Sequence, residues 1–300
     1  MFDRVKINTK QKIRLFFDIL RRKRSIIFTM ISFIIFFIVV FFFYNIKSRQ
    51  TLNSEKPKPN VSISNSDTKQ SAPTESTSSA ISSPDSLLNL VNWELTLPID
   101  TNHLGNPDEI KWPELKTFTS PPYFQLNNDK TGVVFRAPVS GVTTANSNFP
   151  RSELREMTDG GTQEASWSTT SGTHTMRIGE AITHLPTSKP EVVAGQIHDT
   201  SSDVIMIRLE RQNLFVQSSG QNIGTLDPAY VLGTPFTVEI VAGDGHIKVF
   251  YNDVQKLNYN KNGDSYYFKA GCYTQSNMST DDNPDAYGEV VIYELKVTHS

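Results

Sequence analysis

Residues 267–275 read YFKAGCYTQ. In an extended chain successive side chains point to opposite faces, so this stretch divides into two sets. Phe268, Ala270, Cys272 and Thr274 form a small, largely apolar set suited to a core. Tyr267, Lys269, Gly271, Tyr273 and Gln275 form the other. It gathers a phenol, an ammonium and an amide on one surface, with a glycine leaving room beside them. Cys272 is the single cysteine of the chain, so an intrachain disulfide is impossible. Among apolar neighbours on the core side it reads as an inert small hydrophobe.

Working outward, short runs rich in β-branched and aromatic residues recur between Gly, Pro, Asn and Asp punctuation from about residue 85 onward. Strands are expected at 132–136, 173–182, 192–198, 204–210, 214–217, 236–241, 246–251, 266–275 and 289–298. The run AGDG at 242–245 and the residues 251–253 read as hairpin turns, with glycine supplying positive φ in the first. Apart from an apolar run near the N-terminus and a short piece around 86–91, no segment shows a helical period. Many strands without crossover helices predict an all-β fold, antiparallel sheets packed as a sandwich or jelly roll. No internal repeat is visible, which disfavours propellers and solenoids.

The N-terminal third is different in kind. Residues 1–25 carry nine Lys or Arg against two acids, and the next nineteen residues, 26–44, carry no charge. At about 1.5 Å per residue a helix of that length crosses about 30 Å of hydrocarbon. The basic cluster Arg21, Arg22, Lys23 and Arg24 predicts a cytoplasmic tail at 1–25 and a signal anchor at 26–45. A cleaved signal peptide is the alternative, opposed by the length of the apolar run and the lack of a small-residue cleavage site. Residues 46–84 are rich in Ser, Thr, Pro, Asn and Lys, and cannot bury enough surface to offset the entropy of ordering them. They read as a disordered linker that holds the domain at 85–300 outside the cytosol. The formal net charge of the whole chain is only -2, which gives no argument for nucleic acid.

Two more stretches carry unusual side chains. Residues 151–155 read RSELR. If extended, Arg151, Glu153 and Arg155 share a face on which the carboxylate holds the arginine forks in place. An exposed cross-strand ion-pair ladder would look the same. Residues 196–198 read QIH, which in a strand aims Gln196 and His198 one way and Ile197 toward the core. Two arginines and an amide suit recognition of a carboxylate, and a histidine and a tyrosine suit proton transfer. Elimination beside a uronate carboxylate needs both. The carboxylate charge must be neutralised as an enolate-like state develops, a base must take the C5 proton, and an acid must protonate the departing O4.

In order and spacing, RSELR, QIH and YFKAGCYTQ resemble the three signature motifs of the family-seven polysaccharide lyases, the alginate lyases. The resemblance covers essentially all of residues 86–300. The family often carries Asn where this chain has Thr274, a position the alternation sends inward. The resemblance implies a concanavalin-like β-jelly roll whose groove takes an anionic uronate polysaccharide, alginate, without cofactor or metal. It implies catalytic roles for Tyr273, His198, Gln196 and Arg155. Tyr273 would be the acid and, for mannuronate, also the base; His198 would be the base for guluronate. Gln196 and one of Arg151 and Arg155 would bind the carboxylate. Arg151, Glu153, Lys269 and Gln275 are expected to contact substrate, and Ile197 leans toward guluronate or mixed acceptance. A monomer is expected.

Two rival functions stand beside this one. A jelly-roll glycoside hydrolase would need paired carboxylates about 5–5.5 Å apart. No such run is present, and Glu289 and Glu294 are expected on opposite strand faces. A tethered carbohydrate-binding module would explain the cationic face, but gives no reason for a histidine and a tyrosine to join it.

Overall fold

The computed structural model describes residues 81–280 and 283–300. The expected tail at 1–25, the anchor at 26–45 and all but the end of the linker lie outside the described residues. Among the described residues no helix is long and apolar enough to cross a membrane.

The fold opens on a one-turn helix, α1 (Pro84–Leu88). Ser83 and Ser86 cap its start reciprocally, and Asn89 closes it in the left-handed conformation that an amide side chain tolerates. The strands that follow are β1 (Trp93–Thr96), β2 (Glu109–Lys111), β3 (Phe124–Leu126), β4 (Val133–Pro138), β5 (Arg151–Thr158), β6 (Gln163–Glu164), β7 (Thr173–His184) and β8 (Glu191–His198). Then come β9 (Asp203–Glu210), β10 (Asn213–Ser218), β11 (Gln221–Asp227), β12 (Phe236–Gly243), β13 (His246–Tyr251), β14 (Val254–Asn260), β15 (Tyr267–Thr274) and β16 (Tyr287–His299). One sheet runs β11-β10-β9-β8-β15-β5-β1-β2, with β6 paired to β5, and the other runs β14-β13-β12-β7-β16-β4-β3. The two antiparallel sheets enclose one core. Leu154, Ile197, Phe268 and Ala270 enter it from the first sheet, and Phe135, Ile178, Val238 and Ile292 from the second. This is the expected all-β jelly-roll sandwich.

Every expected strand is present, most of them one or two residues longer. The strands that pattern alone did not raise are the short ones, the polar edges and β5, whose charged residues were read only as a strand if extended. The residues of β14, VQKLNYN, are exposed or half-buried throughout, so no apolar alternation marks them. Both hairpins close on two-residue turns with positive φ at each position: Asp244 and Gly245 in one, Asn252 and Asp253 in the other. This mirror-image turn matches the twist of the flanking strands. Gly243, expected to supply positive φ, instead pairs with His246 as the last residue of β12.

The expectation for Glu289 and Glu294 is corrected. Where the β16–β7 register shifts between Ile292 and Glu294, Tyr293 is an extra residue in β16 and reverses the alternation beyond it. Both carboxylates therefore face outward, Glu289 against Arg136 and Glu294 against Arg177.

Glu180 on β7 stands in the inward register between Ile178 and Ile182, beside Phe236 and Ile292. It is fully buried, and neither carboxylate oxygen has a hydrogen-bond partner among the described residues. Burial pushes its carboxyl up to about 8. The folded value lies above the unfolded one, so the stabilising contribution is complete in acid and is lost as pH rises toward 8. Between about pH 4.5 and 8 this group alone removes about 1.4 kcal/mol per unit. Chemical denaturation across this range should show that decline in the wild type and a flatter profile in Glu180→Gln. Parallel profiles would contradict it.

Candidate active site

The three motifs fall on three adjacent strands, β8, β15 and β5. Registration sets His198 opposite Tyr267, and Lys269 between Gln196 and Arg155. Gly271 faces Glu153, and Tyr273 faces Arg151. Neighbouring strands lie about 4.8 Å apart, so side chains remote in sequence become immediate neighbours. Phe268, Ala270, Cys272 and Thr274 are wholly buried, as the alternation required. Burial also raises the Cys272 thiol well above its ordinary value, consistent with an inert cysteine. Gly271 has φ +140° and lies where the β15–β8 register shifts. A Cβ there would meet the Ser152 carbonyl oxygen at 2.6 Å and Glu153 Cα at 2.8 Å, so only glycine permits this close approach.

Above these strands lies an open cleft of about 610 Å³. Arg151, Arg155, Gln196, His198, Lys269, Tyr273 and Gln275 all line it. Glu153 does not. Its side chain has no exposed surface, and its oxygens are taken by protein donors: Lys269 Nζ at 2.6 Å, Arg151 Nη1 at 3.1 Å and Gln196 Nε2 at 2.5 Å. The expected substrate contact of Glu153 is therefore corrected: it anchors the cleft floor from below. Burial would raise its carboxyl, but Lys269 and Arg151 outweigh burial and hold it below the usual range. Lys269, largely buried in the cleft floor, is lowered by desolvation to about 8 against the pull of Glu153. The guanidinium of Arg151 lies 4.0 Å from the Tyr273 ring centre, and that of Arg155 lies 4.1 Å from the Tyr267 ring centre. Arg155 Nη2 is also held by Glu164 at 2.9 Å.

His198 donates from Nδ1 to the Asp199 carbonyl at 2.5 Å, because a carbonyl can only accept. A neutral imidazole then carries its lone pair on Nε2. Burial lowers the His198 pKa, and the charge of Lys269 adds to the effect, so the neutral ring prevails near pH 7.

Several cleft residues had no assigned role in the sequence. Tyr267 places its hydroxyl 3.1 Å from His198 Nδ1; the alternation put it on the right face, but nothing in the sequence named its partner. Ser147 reaches the Tyr273 hydroxyl from the segment before β5, which carries no motif. Glu94 and Glu109 close one end of the cleft from β1 and β2. Burial, with Glu109 next, raises the Glu94 carboxyl.

The arrangement supplies a neutral imidazole, a phenol flanked by a guanidinium, and amide and guanidinium donors along one wall. Comparison with known proteins agrees with that chemistry. The sequence profile described as alginate lyase matches residues 88–299. An alginate lyase of Klebsiella pneumoniae is 28% identical, the match covering 73% of this chain and 92% of that protein. The solved structure of AlgAT5, an alginate lyase of polysaccharide lyase family 7, is 56% identical. It superposes with a TM-score of 0.70 over 73% of this chain and 99% of that one. The alginate lyase from Corynebacterium sp. is 47% identical, with a TM-score of 0.70 over 72% of this chain and 98% of its own. A cleft built on these three strands, with relatives matched along nearly their whole length, places the chain in the alginate lyase family, polysaccharide lyases that cleave alginate.

Proposed function

We propose that the cleft cleaves alginate by β-elimination at the 4-O-glycosidic bond, with Tyr273 and His198 moving the protons. The observation that carries this reading is the placement of a neutral His198 and of Tyr273 on the same cleft wall as Gln196 and Arg155. Gln196 and Arg155 neutralise the uronate carboxylate. Arg155 is preferred to Arg151 because its side chain is more exposed, 19% against 10%. Removal of the C5 proton then becomes feasible, the C4–O4 bond breaks, a 4,5 double bond forms, and Tyr273 protonates the departing O4. Lys269 and Gln275 contact neighbouring sugars. No step in this scheme calls on a metal or cofactor.

Mannuronate and guluronate differ in configuration at C5, so their protons leave from opposite faces of the ring. Tyr273 serves as base for mannuronate and His198 for guluronate. The test is formation of the ultraviolet-absorbing unsaturated uronate on homopolymeric blocks. His198→Gln should lose guluronate cleavage by a factor of about 10² or more and keep more of its mannuronate cleavage. Equal losses on both blocks would contradict the division of labour. Growth of reducing ends without that absorbance would identify hydrolysis.

The uncharged run at 26–44 behind a basic cluster supports a further part of this reading: a single-pass protein whose catalytic domain stands outside the cytosol on the 46–84 linker.

A further inference from the structure

The segment 139–150 between β4 and β5 borders the cleft and is fixed against the end of β15. Asn277 Nδ2 donates to the Asn148 carbonyl at 2.8 Å, and the Thr274 amide donates to the Pro150 carbonyl at 3.1 Å. Within the segment, the Ser147 amide donates to the Thr144 carbonyl at 2.9 Å. The Ser147 hydroxyl is thereby held 3.1 Å from the Tyr273 hydroxyl. Its oxygen also accepts from the Phe149 amide at 3.2 Å and can donate to the Phe149 carbonyl at 3.2 Å.

A hydroxyl is both donor and acceptor and turns freely about its bond, properties that a backbone amide or an ammonium lacks. With Tyr273 protonated, Ser147 accepts the phenolic hydrogen and donates to the Phe149 carbonyl. With Tyr273 ionised, Ser147 turns its hydrogen onto the phenolate oxygen. The Arg151 guanidinium lies over the face of that ring, and Lys189 lies one ring further out, above Phe149; Arg155, His198 and Lys269 line the same cleft. We propose that Ser147 is a positioning residue for Tyr273, reversing one hydrogen bond as the tyrosine gains and gives up its proton. Ser147 itself neither gains nor loses a proton overall. The inference rests on the reading of Tyr273 as acid and base.

The Phe149 amide bond to Ser147 would by itself shape the loop, so the test needs readouts that loop shape does not move. Ser147→Ala, Ser147→Thr and Tyr273→Phe are compared on alginate in the full-length protein. Ser147→Ala should lower kcat about tenfold with little change in KM, the weight of one hydrogen bond to a charged atom. Its pH–kcat profile should move toward higher pH by about one unit. Ser147→Thr, which keeps the hydroxyl, should restore both. A Ser147→Ala enzyme with the wild-type profile, or a loss that threonine does not repair, overturns the role of Ser147. Turnover by Tyr273→Phe would instead overturn the reading of Tyr273 on which it rests.

Discussion

Tyr273→Phe should lower kcat on alginate by a factor of about 10³ or more while leaving the folded domain intact, because a single group is asked to move protons on both sides of the elimination. The substitution removes one oxygen. The ring keeps its place under the Arg151 guanidinium and beside Phe149. Among the described residues, the side-chain hydrogen bond of the hydroxyl is the one to Ser147, at a half-buried site. Its loss costs stability about 1 kcal/mol or less. Polymer binding should persist, since Arg155, Gln196 and Lys269 are untouched. Kinetics paired with thermal unfolding checks this, and near-normal turnover would remove the tyrosine from the chemistry.

Glu153→Gln should damage the protein more deeply although Glu153 touches no substrate. Its carboxylate is the shared counter-charge of Lys269 and Arg151, and it also receives Gln196. A neutral amide in that place leaves two buried cations side by side without an anion. Breaking a buried pair in this way costs about 3–5 kcal/mol, to which the displacement of Gln196 adds a loss of activity. Pairing the change with Lys269→Met removes one of the stranded charges and should recover part of the stability. A single variant with unchanged unfolding temperature and turnover would show that the cations do not need this anchor.

The facing of the site was legible in the sequence, and its neighbourhoods were not. Alternation alone sorted Lys269 and Tyr273 from Phe268 and Cys272, and Gln196 from Ile197, because a strand has a period of two. Alternation cannot say which strands adjoin. Gln196 meets Glu153 across 43 residues, and Tyr267 meets His198 across 69. Such pairings are written in the whole set of strand registers. Hence Glu153 was placed at the substrate when its depth, set by Lys269 and Gln196 crowding above it, makes it an anchor. Ser147 and Glu109 were missed for a related reason: they come from a loop and a three-residue strand, where no periodicity exists to read. Glu180 lies inside the strand expected at 173–182, but no facing was read for it, and its buried, unpaired carboxyl came only with the structure.

The elimination depends on one wall of one cleft, and a crystal structure of Tyr273→Phe with a uronate oligosaccharide bound tests it most directly. The predicted result is a uronate carboxylate held by Gln196 and Arg155, with its C5 hydrogen facing His198 Nε2 or the vacated hydroxyl position of residue 273. An oligosaccharide seated instead on the outer face of the opposite sheet, or with its carboxylate turned toward Glu94 and Glu109, would contradict it.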